Sequence, residues 1–249
     1  MINFFRKIRK QLADDNKPVK YMRYAIGEIV LVVIGILIAL QINNWNENRK
    51  LDFIRNSNYQ QLLEDFKTDK EYIDEIIDEF NANDSLYREY LKSYKTPNLT
   101  MNDVLSNLRF DKVDFTITSL RFQNSTINSL ESTGEIKLIP SGLRKKITEL
   151  TRDLDYAVET NSKGNEYYFD RIELAGTLGS GTSLQKRIKN QPFLRKELGI
   201  ENNLAQIIWS IEIGLMYKSF TERTTVEKLE FLRTDINEIT KLIINELNK

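Results

Sequence analysis

The distribution of apolar residues sets one uninterrupted run near the N-terminus apart from the periodic stretches that follow. Residues 29–40 carry no polar side chain, and the eighteen residues 25–42 include only Glu28 and Gln41 as polar positions. As a helix they would measure about 27 Å, the short end of what crosses a bilayer. Ten Ile, Leu and Val residues favour insertion by roughly 3–6 kcal/mol. The pattern predicts a transmembrane helix over residues 24–45.

The residues that flank this run support the same prediction. Tyr21 and Tyr24 lie at one edge and Trp45 at the other, where interface aromatics are expected. No small-residue cleavage site follows the run, which continues as "ALQINNW", so we predict an uncleaved signal-anchor rather than a signal peptide. A buried core helix is a poor alternative because seven basic residues precede the run.

Charge assigns an orientation to the predicted span. Residues 1–23, including Arg23 at the membrane edge, carry seven Lys or Arg and two Asp, a net charge of +5; since the whole chain has a net charge of 0, the remainder carries −5. By the positive-inside rule the N-terminus is cytoplasmic and residues 46–249 lie across the membrane, in the periplasm of a bacterium. Residues 1–23 predict either a basic amphipathic helix on the inner leaflet or an unstructured basic flank.

Two features of the predicted span have competing interpretations. Glu28 lies one turn from the basic end, so it is either an interfacial residue that reaches the headgroups or a functional intramembrane carboxylate. Gly27, Gly35 and Ala39 place small residues near one face. They form either a packing face for another helix or only the glycine content that is common in spans.

A seven-residue spacing of apolar side chains follows the span. It runs through Tyr59, Phe66, Ile73, Phe80, Tyr87 and Tyr94. No Pro or Gly occurs from residue 46 to residue 94, and six consecutive hits predict one long helix over about residues 46–95 that packs on a partner. "KTPNLT" ends it, and Thr100 with Asp103 predicts a capping box.

The remainder of the chain also favours helices. Residues 110–123 alternate between apolar and polar side chains and predict either a short extended segment or an irregular loop. The residues "NSTINSLES" that follow predict a short helix that Gly134 ends. Helical stripes follow in "SGLRKKITELTRDLDYAVETN", in "NEYYFDRIELAG" and over about residues 203–248, whose polar middle at 219–225 is a place for a bend. We predict an all-α fold, in which the N-terminal transmembrane helix continues into an elongated antiparallel helical bundle over residues 46–249.

The composition restricts the chemistry. The chain contains no histidine and no cysteine, which removes the commonest general base, metal ligand and nucleophile pairs. The glycine-rich residues 175–183 lack a phosphate-loop ending, and Ser183 with Lys186 lacks the companion motifs of acyl-transfer enzymes. An acidic run at residues 64–79 and the basic residues 144–146 suit solvated faces. We predict no catalytic residue, metal or cofactor, and no nucleic-acid binding.

Aromatic side chains offer one further candidate. Five aromatic residues are concerned: Tyr167, Tyr168, Phe169, Trp209 and Tyr217. Their side chains could line a pocket, but aromatic residues at helical spacing are more often part of the core.

The N-terminal residues "FFRKIRKQL" and "YAIGEIVLVVIGILIALQINNWNENRK" resemble those of a family of uncharacterised membrane proteins of Bacteroidota, known only as a domain of unknown function. The resemblance covers about residues 3–50. A weaker similarity to the same family occurs at residues 128–150, "NSLESTGEIKLIPSGLRKKITEL". It implies an inner-membrane protein with a helical extracytoplasmic part, and it brings no reaction, ligand or site residue.

These observations lead to two hypotheses from different classes. The first is a non-enzymatic scaffold or assembly subunit, held in the bilayer, whose bundle binds an envelope protein or a second copy of the chain. The alternative is an envelope sensor that binds a ligand between its helices and signals through a partner. A hydrolase ranks third because it would need carboxylate-only or Ser-Lys chemistry.

Overall fold

A computed structural model gives the fold, and it describes residues 18–101, 103–104, 112–180 and 186–248. These residues form helices and connecting segments and contain no strand. We number the helices in chain order: α1 (Pro18–Lys92), α2 (Ser125–Thr133), α3 (Ser141–Ala175), α4 (Pro192–Glu197) and α5 (Leu204–Leu247). The all-α prediction, with an apolar N-terminal helix followed by helices that pack together, is confirmed.

The chain divides into two compact units, Met1–Ser57 and Asn58–Lys249. In the first unit the described residues belong to the N-terminal part of α1. The helix over Ala25–Lys95 contains an 18-residue window of mean hydropathy 2.6, and none of that window is buried. By length and composition, it can serve as a membrane anchor.

The second unit has one main apolar core. α1, α3 and α5 supply most of it, and the largest fully buried side chains of these helices include Tyr59, Phe66, Phe80, Leu62, Ile73, Ile147, Leu150, Leu154 and Ile207. α1 and α5 run antiparallel, because Asn83 bonds to Glu222 while the earlier Asp74 bonds to the later Arg233. The predicted antiparallel pairing of the two long helices is confirmed.

Local sequence explains where several elements begin and end. Thr100 and Asp103 form the predicted capping box: Thr100 N donates to Asp103 Oδ2 at 2.8 Å and Asp103 N donates to Thr100 Oγ1 at 3.3 Å. Gly134 ends α2 with φ 76°, a left-handed conformation that glycine adopts without steric cost. Pro192 occupies the first turn of α4, where its missing N–H is not needed.

α3 is a single helix where the sequence suggested two. It continues through Gly164, which lies so close to α5 that an added Cβ would overlap the side chain of Thr221. The glycine therefore allows close approach of the two helices, and tertiary packing outweighs its low helix propensity of about 1 kcal/mol relative to alanine.

The middle of α5 differs from the sequence prediction of a bend. α5 is one helix over Leu204–Leu247, and the polar residues of its middle are buried within the bundle: Lys218, Ser219, Thr221, Glu222 and Thr225. The two charged residues, Lys218 and Glu222, find hydrogen-bonding partners inside the bundle, so the helix has no need to break there.

Candidate functional site

A buried cluster of charged side chains surrounds Lys218 in the middle of α5, and we call it the ion cluster. Lys218 is 4% exposed, and its Nζ donates to Asp114 Oδ2 at 2.9 Å and to Glu222 Oε1 at 2.5 Å. Asn83 of α1 donates to the same Glu222 oxygen at 3.0 Å. The cluster thus joins α1, α5 and the segment that precedes α2.

The pKa values of the two carboxyl groups in the ion cluster, Glu222 and Asp114, shift in opposite directions. Burial raises the pKa of Glu222, although Lys218 and Asn83 oppose that shift. Desolvation would also raise the pKa of Asp114, but hydrogen bonds from Lys218 and Thr116 outweigh it and lower that pKa overall. Asp114 is therefore the more firmly ionised partner of the lysine.

A small cavity adjoins the ion cluster. It is lined by Asn83, Tyr87, Val113, Asp114, Leu215, Lys218, Ser219 and Glu222, and the space open to the centre of a water molecule is about 10 Å³. That volume suits about one water. The arrangement joins structural elements and has no room for an organic ligand of metabolite size.

Residues 113–123, which we call the extended segment after the sequence prediction, belong to neither a helix nor a strand. Because it has no strand partner, side chains of α3 satisfy parts of its backbone. Asn161 Oδ1 accepts from Leu120 N at 3.4 Å, Asn165 Nδ2 donates to Thr118 O at 3.0 Å, and Tyr168 Oη donates to Phe115 O at 2.7 Å. The extended segment therefore lies along α3 through side-chain hydrogen bonds.

Asp69 of α1 binds the C-terminal end of the extended segment, at Gln123. It is 1% exposed, and its Oδ1 accepts from Gln123 N at 2.8 Å. Its Oδ2 is buried without a hydrogen bond among the described residues. Burial raises the pKa of Asp69 to about 6; the Gln123 hydrogen bond opposes the rise and the charge of Asp65 adds to it. Asp69 is thus a carboxyl group that takes up a proton as the pH falls through about 6.

A second polar contact joins the end of α1 and the turn that follows it to the start of α5. The hydroxyl groups of Tyr90 and Tyr94 both bond to Glu212 Oε1, and they lie 2.8 Å from each other. Desolvation and the Glu212 hydrogen bond raise the pKa of Tyr94 to about 12. Both phenols act as neutral donors, so this contact also holds helices together.

α5 presents an apolar stripe to solvent opposite its buried polar residues. We call it the α5 apolar surface and define it by Trp209, Ile213, Met216 and Phe220. Trp209 is 69% exposed, Met216 51% and Phe220 58%, while Ile213 is half-buried. Their spacing of four, three and four residues places them on one face of the helix. A contiguous exposed apolar face of this kind is a candidate interaction site.

Neighbouring side chains extend the α5 apolar surface. Tyr167 of α3 lies against Tyr217 of α5, with ring centroids 5.7 Å apart. Toward the C-terminal end, exposed Arg223 and Glu227 continue the same helix face. The surface therefore has an aromatic side and a charged end.

Sequence reasoning assigned these aromatic residues mainly to the core, and it was wrong for most of them. Tyr168 is buried, but Tyr167, Phe169 and Trp209 are exposed and Tyr217 is half-buried. Helical spacing alone does not say which of two apolar stripes faces the bundle. The polar run 219–225 was the available signal, because its burial forces the opposite face of α5 outward.

The residues predicted at the membrane edges lie in α1. Trp45 is exposed, and the Arg49 guanidinium lies 5.9 Å from its ring centroid. Arg23 is exposed as well, whereas the side chains of Tyr21 and Tyr24 lie outside those that the structure describes.

The polar and small residues predicted within the span are also placed. Glu28 is half-buried and has an interaction partner. A Cβ added to Gly27 or Gly35 would meet nothing within 4 Å, and Ala39 is exposed. The face remains open to another helix.

The predicted heptad stripe is buried at its start and opens toward its end. Tyr59, Phe66, Ile73 and Phe80 are buried in the core, Tyr87 is half-buried, and Tyr94 is exposed at its contact with Glu212. The stripe thus faces the other helices of the same chain in its buried part.

The remaining chemical candidates are not brought together. Ser183 lies outside the described residues, while Lys186 is exposed. Lys146 forms an ion pair with Glu238 at 2.9 Å. Within the described part of the chain, no group of three or more acidic, histidine or cysteine side chains could hold a metal ion.

Comparison with known proteins places the chain among proteins of undetermined role. The model of a family of unknown function, DUF6090, matches residues 28–179, which is more than half of the chain. No curated protein and no solved structure matches. The matched range contains Asp69, Asp114 and the extended segment, and it ends before the α5 apolar surface.

Proposed function

The chain belongs to DUF6090, a family of unknown function, and we propose that it is a membrane-anchored, non-enzymatic scaffold whose helical bundle binds another protein of the bacterial envelope. The apolar part of α1 would hold the protein in the inner membrane. The N-terminus would lie in the cytoplasm and the bundle in the periplasm, because basic residues concentrate before the apolar run.

The α5 apolar surface is the observation that carries this proposal. Protein-binding surfaces are enriched in Trp, Phe, Tyr and Met, and a few such side chains supply most of the binding energy. Here Trp209, Met216 and Phe220 are at least half exposed on a helix whose other face is well packed. Leaving them in water has no structural benefit to the bundle, so a partner that covers them explains their position.

The polar interior supports a structural role over an enzymatic one. Lys218, Asp114 and Glu222 bond to one another around a cavity with room for about one water. The small size of that cavity gives no support to the alternative of a ligand sensor that binds at this site.

Affinity purification from solubilised membranes tests partner binding. We expect the wild-type chain to retain a stoichiometric envelope protein or a second copy, and Phe220→Asp to lose it. Phe193→Asp is the matched control, since Phe193 is an exposed aromatic residue of α4 outside the α5 apolar surface. Equal recovery with Phe220→Asp and wild type would contradict the assignment of this surface.

Orientation requires a separate experiment. Protease added to intact spheroplasts should digest the bundle and leave an N-terminal fragment that contains the apolar part of α1. A bundle that resists protease in intact spheroplasts, but is digested after lysis, would place it in the cytoplasm and overturn the proposed topology.

A further inference from the structure

We infer that residues 122–126, where the extended segment meets α2, are a pH-dependent conformational switch. They pack over Asp69 of α1 while its carboxyl group is protonated, and they move away from α1 when that group is ionised. We call residues 122–126 the junction. The switch is a property of the bundle itself, so it does not depend on which partner binds the α5 apolar surface.

Two carboxyl groups of α1, one helical turn apart, fix the junction in place. Asp69 Oδ1 accepts from Gln123 N at 2.8 Å, and Asp65 Oδ2 accepts from Thr126 N at 3.3 Å. Gln123 belongs to neither a helix nor a strand, and Thr126 lies in the first turn of α2, so neither N–H takes part in a regular ladder. The attachment of the junction to α1 therefore depends on these two side chains.

The closed junction favours one charge state of Asp69. The side chain is 1% exposed, and its Oδ2 is buried without a hydrogen bond among the described residues. Burying an ionised carboxylate is costly unless it is fully hydrogen-bonded or paired with a cation, and burying the neutral acid costs much less. The closed state therefore favours the protonated group, and the raised pKa of Asp69, about 6, agrees with this geometry.

The charged groups on the two segments that meet at the junction do not compensate an ionised Asp69. Burial raises the pKa of this carboxyl group, and the negative charge of Asp65 on the same helix raises it further. Arg121, on the extended segment, is exposed to solvent, as is Glu131, the one charged residue of α2.

The charged groups that α3 and α5 direct toward this region bond elsewhere. Asp155 of α3 accepts from Asn124 Nδ2 at 3.3 Å. Arg233 of α5 donates to Asp74 of α1 at 2.8 Å. An ionised carboxylate under the closed junction thus gains no cation from these contacts, and access of water is the way to stabilise it.

The junction is the element that can move to admit water. α1 is fixed on both sides of Asp69, because Phe66 and Ile73 are buried in the main core. Upstream of the junction, the neutral side chains of Asn165 and Tyr168 hold the extended segment on α3 through hydrogen bonds that do not titrate between pH 5 and pH 8. Opening therefore begins at residues 122–126, as a local event that leaves the rest of the bundle folded.

The size of the effect follows from proton linkage. Opening exposes Asp69 to water and returns its pKa from about 6 toward the ordinary value of 3.8. The closed state binds the proton more tightly, so raising the pH favours the open state. The equilibrium constant for opening should increase about tenfold from pH 5 to pH 8, with most of the increase complete by pH 7.

Hydrogen–deuterium exchange of the full chain in detergent, followed by mass spectrometry of peptides that cover the junction, tests the inference. Asp69→Asn is the matched variant, because it keeps an oxygen that accepts from Gln123 N and cannot ionise. Dividing the wild-type exchange rate by the Asp69→Asn rate at the same pH removes the intrinsic pH dependence of amide exchange. We expect this ratio to rise about tenfold from pH 5 to pH 8. We also expect junction amides to exchange faster than those of residues 229–243 in α5, because local opening precedes global unfolding.

Two results would overturn the switch. A ratio that stays constant from pH 5 to pH 8 would show that ionisation of Asp69 does not control the junction. Junction amides that exchange as slowly as those of residues 229–243 would show that Asp69 becomes exposed only when the whole bundle unfolds. If circular dichroism shows that Asp69→Asn does not fold, an unstructured peptide of the junction sequence supplies the intrinsic rates, and the wild-type chain alone must show the tenfold increase.

Discussion

The two halves of α5 bury opposite kinds of side chain. From residue 229 to residue 243 the buried positions are apolar: Leu229, Leu232, Ile236, Ile239 and Ile243. From residue 210 to residue 225 many buried positions are polar: Ser210, Lys218, Ser219, Thr221, Glu222 and Thr225. In this first half the large apolar side chains of Trp209, Met216 and Phe220 face solvent instead.

This difference shows two uses of one helix. The second half packs in the ordinary way, since burying aliphatic side chains stabilises the fold in proportion to the area removed from water. The first half holds the extended segment through the ion cluster, as the Lys218–Asp114 bond shows. Its outer face is apolar, which a fold alone does not require. Positions that depart from the general pattern in this way are expected where a protein performs its function.

The largest effect should come from breaking the ion cluster. Lys218→Met leaves Glu222 buried without its cation, and losing one partner of a buried pair costs about 3–5 kcal/mol of unfolding free energy. Urea unfolding of the full chain in detergent, followed by circular dichroism, measures the loss.

The double variant Lys218→Met with Glu222→Leu separates charge from volume. It removes both charges that face each other within α5, so its loss of unfolding free energy should be smaller than that of Lys218→Met alone. If both variants lose the same amount, packing of the lysine stem and not the uncompensated carboxylate determines the effect.

In the second half of α5, residues 229–243, the free energy of unfolding should depend on how completely the buried apolar side chains fill the core. Leu229 is fully buried, and Leu229→Ala leaves a cavity in the core that costs about 2–5 kcal/mol. The same urea titration measures it. A loss below 1 kcal/mol would show that this half of α5 is less tightly packed than its burial indicates.

The sequence predicts the parts of this fold that follow one periodicity. The stripe Tyr59, Phe66, Ile73 and Phe80 and the glycine at residue 134 indicate helix faces and ends because each depends on local spacing or local backbone geometry. The exposed position of Trp209 does not follow from spacing, because α5 carries two candidate stripes and only the bundle determines which faces inward. Likewise, the sequence does not distinguish Asp69 from the exposed acidic residues near it, because Asp69 is buried only when the extended segment packs over it.

Protonation of Asp69 gives a smaller effect with a defined sign. Its folded pKa of about 6 lies above the usual value, so protonation favours the folded state. The stabilisation is complete below about pH 4, where the unfolded chain is also protonated, and is lost as the pH rises through about 6. Lowering the pH from 7 to 5 should therefore add about 1 kcal/mol of unfolding free energy.

Asp69→Asn tests this assignment. It keeps an oxygen that accepts from Gln123 N and removes the titration, so its gain between pH 7 and pH 5 should be about 1 kcal/mol smaller than that of the wild type. Glu222, whose pKa is also raised, contributes in the same direction in both proteins. Between pH 7 and pH 9 the two slopes should agree, because Asp69 is already ionised there. Equal slopes from pH 7 to pH 5 would instead assign the dependence to other groups.

The smallest effect on stability should come from the residue that is most exposed on the α5 apolar surface. Trp209→Ser removes a side chain that is 69% exposed, so the unfolding free energy of the separated chain should change by less than about 0.5 kcal/mol. Leu229→Ala, in the other half of the same helix, is the contrast with a large loss. A loss above 2 kcal/mol for Trp209→Ser at a protein concentration where the chain is monomeric would show that the indole stabilises the bundle itself. A loss that appears only at high concentration would instead reflect a partner that covers this face, since association stabilises a folded chain in proportion to the logarithm of its concentration.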